Sequence, residues 1–198
     1  MTLSPNTYSL GAKQTFSSVV YPLILAFAGG VFAILGSLIE EFANNAPLLI
    51  FLVGPAIEEI LKPSGVIWLF EKRKSLLRSR AHIIILCMIG ALSFATLENI
   101  FYLFLYFPRH SQFFLFYRLT MCTMMHMGST LIVALGLCRL YTRSAKNQPF
   151  GENFKDEPYL ITFELEDIIP YIILAVALHG SYNLLVYILQ RLDIFVIR

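Results

Sequence analysis

Five stretches of mostly apolar residues follow one another along this chain, at residues 19–39, 47–70, 81–107, 113–138 and 168–189. Each is long enough for a helix to cross a bilayer core, which takes about 20 residues. No other feature limits the fold as tightly. Hydrocarbon offers no water to the backbone, so each crossing segment must satisfy its own N–H and C=O groups, and a helix does this alone. The expected fold is all-α: a polytopic transmembrane helical bundle of about five spans, forming a single membrane-embedded domain over residues 1–198. Composition agrees, because 57% of the residues are apolar and only 14% charged, whereas a water-covered domain carries about 25% charged residues.

The links between these stretches are short except that at 139–167, which is broken by Gly151 and Pro158, and the first link contains Asn44 and Asn45. There is no internal repeat and no low-complexity tract. The first apolar stretch exceeds the 7–15 residues of a signal-peptide core and is expected to remain as a span. A net charge of +2 is too slight for a nucleic-acid partner, so membrane lipid is the expected surrounding. Cys87, Cys122 and Cys138 lie in apolar runs without C-x-x-C spacing, as small buried hydrophobes do.

Basic residues orient the bundle. Lys72, Arg73, Lys74, Arg78 and Arg80 crowd the link between the second and third stretches, which places that link in the cytoplasm. Alternation then puts the N-terminus with Lys13 inside, along with the link bearing Arg139, Arg143, Lys146 and Lys155. Arg109 is the only Lys or Arg in the opposite links. The C-terminus is expected outside, although Arg191 and Arg198 pull the other way.

Against this apolar background, Glu58, Glu59, Lys62, Glu98, His126 and His179 each fall roughly midway along an expected span. Burying an ionisable group in a bilayer costs at least ~2.5–3.5 kcal/mol on insertion scales. One or two such groups can serve as packing glue; six at similar depth point to a shared functional site. In the second span, Glu58 and Lys62 are four apart and expected to pair on one face, whereas Glu59 points roughly 100° away and is free to face a different cavity. Pro63 removes the partner of the Glu59 carbonyl, so a kink is expected there. Phe94 and Glu98 share a face of the third span, as do His179 and Asn183 in the fifth, and His126 precedes Gly128, Ser129 and Thr130 in the fourth.

Glu58-Glu59-x-x-Lys62, Phe94-x-x-x-Glu98 and His179-x-x-x-Asn183 resemble the motifs of the PrsW family of intramembrane proteases, with His126 where that family has an additional helical histidine. The wider group includes the CAAX prenyl endopeptidases. Lys62 comes one position early for that branch, with Pro63 where it has arginine, and Glu98 stands where it has histidine. The departures favour PrsW. The resemblance implies hydrolysis of peptide bonds in membrane-anchored proteins, with a single-span membrane protein as substrate. In PrsW proteins this is the cut in an anti-sigma factor that begins a stress-signalling cascade. It further implies Glu58, Glu59, Lys62, Glu98, His126, His179 and Asn183 as the catalytic set. Either of two chemistries fits. Glu59, Glu98, His126 and His179 furnish N and O ligands suited to zinc, or a glutamate activates water while His179 and Asn183 hydrogen-bond the oxyanion.

Other protease chemistries fit poorly. There is no H-E-x-x-H, no aspartate at the centre of a span, and no G-x-S-x-G around Ser129 or Ser181. The rivals from other classes are a proton- or ion-coupled transporter, since carboxylates and histidines also build relays, and a non-catalytic membrane scaffold. Five spans without two related halves argue against common transporter designs.

Overall fold

A computed structural model of the chain describes residues 6–42, 46–146 and 165–192. Asn44, Asn45, Gly151, Lys155, Pro158 and Arg198 lie outside them. Among the described residues every regular element is helical, in the order α1 (Asn6–Phe42), α2 (Gly54–Leu61), α3 (Ser64–Lys72), α4 (Arg80–Ile100), α5 (Gln112–Tyr117), α6 (Thr123–Lys146) and α7 (Ile169–Arg191). Three π-helical turns, Leu49–Val53, Phe101–Tyr106 and Arg118–Cys122, run directly into or out of these helices. Among the described residues, four helical runs are long and apolar enough to cross a membrane: Ser18–Ile39, Arg80–Tyr106, Gln112–Arg143 and Ile169–Arg191.

The expected second span differs. It is two short helices, α2 and α3, broken at Lys62–Pro63. Pro63 has no N–H to continue the ladder, and its own carbonyl instead accepts from Val66 and Ile67, restarting the helix. The fourth span also runs further than its apolar pattern, to Lys146. Arg139 and Arg143 therefore sit on helix rather than in a link, and Arg143 pairs with Asp167, Nη1 lying 3.0 Å from each carboxylate oxygen. Ser79 and Ser111 cap α4 and α5, their hydroxyls accepting from the N–H of His82 and Phe114 at 3.1 Å. They satisfy donors that a helix start leaves open.

Helix α1 packs on α2, α3 and α4, α6 lies between α4 and α7, and α2 touches α7. Close approach depends on missing side chains. A Cβ on Gly65 would collide with the carbonyl of Leu25, one on Gly90 with the carbonyl of Lys62, and one on Gly36 with the side chain of Glu58. Small residues at crossings are the rule in membranes, where dispersion contacts replace the hydrophobic effect as the force between helices. An apolar core of Val66, Leu69, Phe70, Ile83, Leu86, Cys87, Val133 and Leu137 joins α3, α4 and α6. Large apolar side chains such as Phe104, Met124 and Ile173 point outward, as lipid-facing residues do. All three cysteines are free and buried.

Candidate active site

Helix α2 delivers two glutamates in its last turns, and the break just beyond it turns Lys62 back onto both. Glu59 is the hub. Its Oε1 accepts from Lys62 Nζ at 2.7 Å and from Ser129 Oγ at 2.8 Å, and lies 2.9 Å from His179 Nδ1. Its Oε2 accepts from Thr130 Oγ1 at 3.2 Å. Lys62 Nζ is also 3.3 Å from Glu58 Oε2, near enough for attraction, yet neither Glu58 oxygen has a hydrogen-bond partner. The expected Glu58–Lys62 pair is thus the looser of the two, and Glu59 does not face a different cavity. Lys62 lies roughly 40° round the helix from Glu58 and roughly 60° from Glu59 on the other side, so its long stem reaches both.

The two histidines close the cluster. His126 Nδ1 is 3.1 Å from Lys62 Nζ, and its Nε2 is 2.9 Å from Glu98 Oε2. A carboxylate only accepts, so Nε2 carries the hydrogen and Nδ1 keeps its lone pair toward Lys62. By the same reasoning His179 donates from Nδ1 to Glu59 and turns its bare Nε2 toward Glu58 Oε2, 3.7 Å away. The imidazoles meet edge to face, with centroids 4.9 Å apart. Phe94 packs edge-on against His126, and Lys62 Nζ lies 4.3 Å over the Phe94 ring.

All six midspan ionisable residues therefore join one network. Asn183 is placed differently: its Nδ2 donates to the carbonyl of Ile50 at 3.3 Å, tying α7 to the first π turn. Glu98 stands one step out, held between His126 and Arg118 Nη2, the latter 2.6 Å away. Arg118, Asn99 and the hydroxyl of Ser129 as a donor to Glu59 were not foreseen. A lone arginine a few residues inside a span has the signature of a side chain snorkelling to the interface, and this one turns inward instead.

Burial is complete at the centre, with Glu58, Glu59 and Lys62 at 0% exposure and His126 and His179 at 2% and 1%. Three carboxyl groups in this network face two cationic side chains, Lys62 and Arg118. Glu58, Glu59, His126 and His179 each offer a ligand atom, all within 4.8 Å of one another. Two imidazole nitrogens with bare lone pairs beside glutamate carboxylates are the kind of donor set that zinc takes in catalytic sites, so these residues fit a divalent ion. Glu98 is not in this closest group; it is the outer carboxylate that orients His126, the arrangement usual behind a histidine ligand.

A family model described as PrsW family intramembrane metalloprotease matches residues 14–197, nearly the whole chain. No curated protein and no solved structure matches it.

Proposed function

Because the chain belongs to the PrsW family of intramembrane metalloproteases, we propose that its buried glutamate–histidine cluster hydrolyses peptide bonds of membrane-anchored proteins. The observation that carries this is the convergence of Glu58, Glu59, His126 and His179 within 4.8 Å inside a bundle of helices apolar enough to cross a membrane. Such groups are costly in a membrane and mark function there.

Roles follow from the contacts. Glu59, His126 and His179 are the residues that would hold a divalent ion such as zinc, which when bound supplies Lewis acidity toward the peptide carbonyl. Ser129 and Thr130 fix the Glu59 carboxylate by donating to both its oxygens. Glu58 is the general base: its oxygens are free of hydrogen bonds, and a base must have a lone pair available for the proton of the attacking water. Lys62 holds the two carboxylates toward each other. A site this deeply buried favours a substrate already in the bilayer, which supports a single-span membrane protein; regulated cleavage in a stress response is the setting in keeping with the family. The basic link around Ser75 is assigned to the cytoplasm, with the N-terminus inside and the C-terminus outside. Labelling of an introduced Ser75→Cys by an impermeant reagent in intact cells would refute that orientation.

The decisive test is Glu58→Gln in proteoliposomes carrying a fluorescent single-span substrate. Losing the base should slow cleavage by at least ~100-fold. Stability should stay within ~1 kcal/mol, because Glu58 makes no hydrogen bond that the amide would break. Full cleavage by this variant sinks the proposal. Loss of activity in a zinc chelator, restored by zinc, tests the metal-assisted form.

A further inference from the structure

Arg118 belongs to none of the motifs above, yet it is a heavily engaged cation at the edge of the cluster. Only 7% of it is exposed. Its Nη2 donates to Glu98 Oε2 at 2.6 Å, its Nε donates to Asn99 Oδ1 at 3.0 Å, and its guanidinium lies 4.0 Å over the Tyr102 ring. The three partners lie within about one turn of each other on α4 and the π turn that follows it, so the planar fork cannot pivot without losing one of them. The same oxygen that takes Arg118, Glu98 Oε2, also takes His126 Nε2 at 2.9 Å.

Backbone geometry is arranged for this meeting. Residues eight apart on an unbroken α-helix, as Arg118 and His126 are, would point roughly 80° apart. The segment Arg118–Cys122 is instead a π turn. Its wider i→i+5 winding takes back part of that offset and brings the arginine round toward the histidine.

We propose that Arg118 is a positioning residue: by clamping Glu98 it fixes His126 with Nε2 protonated and with the Nδ1 lone pair facing Lys62. The proposal rests on the reading of the cluster as the hydrolytic centre for its bearing on catalysis, but the arrangement of the ring can be read without any cleavage. Outer partners of a histidine ligand commonly contribute 10–100-fold to activity or metal affinity. An arginine that served only to neutralise Glu98 in the packing would leave the ring unchanged when replaced by lysine, which keeps the charge.

The test is ¹⁵N NMR of the full chain labelled at histidine nitrogens in nanodiscs, with the His126 signals assigned by their loss in His126→Gln. Wild type should show one tautomer at His126, protonated at Nε2. Arg118→Met should convert it to a mixture, and Arg118→Lys, which keeps the charge but loses the fork, should do so to a lesser extent. With a single-span substrate, kcat should fall roughly 10–100-fold in Arg118→Met and KM should move less than about twofold. Placing Arg118→Met on a Glu98→Gln background should add little, since the two act through one oxygen. An unchanged His126 spectrum in Arg118→Lys overturns the proposal. A spectrum that changes in a protein that cleaves nothing upholds it and removes the peptidase reading instead.

Discussion

Lys62 belongs to two regions held together by opposite means. Its carbonyl lies in the crossing where Gly90 leaves room for it, and its ammonium lies among Glu58, Glu59 and His126. At the crossing, helices are joined because side chains are absent. In the cluster they are joined because charges are present and paired. The contrast indicates how each region fails: the crossing through added volume, the cluster through a charge left alone.

The largest stability effect should come from Lys62→Met. It keeps the bulk of the stem but leaves Glu59 and Glu58 without their cation, and breaking a buried pair costs about 3–5 kcal/mol. Unfolding in detergent would measure the loss. Added zinc should restore part of it, because an ion bound only by the folded state stabilises that state. Restoration to no degree would separate the cluster from metal binding. Next comes Gly65→Val, which forces a side chain against the Leu25 carbonyl and should cost about 1–3 kcal/mol, the range for overpacking. Zinc should not relieve it; relief would show that the two regions fail as one. The smallest is Asp167→Asn, in neither region. It removes the carboxylate charge beside Arg143, which is about half exposed, and should shift stability by less than ~1 kcal/mol, as rim ion pairs do.

Much of this was legible in the sequence because a bilayer makes polarity conspicuous. The six ionisable residues near the middle of the expected spans stood out against an apolar background, and the structure joins them. The expected break at Pro63 is also present, since proline acts on the backbone whatever surrounds it. What was hidden depends on small rotations. That Glu59 rather than Glu58 is the tighter partner of Lys62 follows from side-chain reach at two neighbouring spacings. The inward turn of Arg118 depends on a π turn, which leaves no mark in a hydrophobic pattern. Nor does an apolar window reveal that the second span is two helices, of 8 and 9 residues, and that α6 continues past its apolar stretch.

The broken span has a consequence for how the protein is made. At 1.5 Å or less per residue, α3 is about 14 Å long and α2 with the π turn that leads into it about 20 Å, and neither alone reaches the ~30 Å of a hydrocarbon core. Together they carry Glu58, Glu59 and Lys62, an insertion penalty on the order of 8–10 kcal/mol before any partner is found. Left to itself at the translocon, this segment is the one that would slip back into water. It is retained only once α1 supplies the surface against which Gly65 and Glu58 pack and α6 supplies the hydroxyls of Ser129 and Thr130. The part of the chain with the most chemistry therefore depends for its insertion on helices made both before and after it.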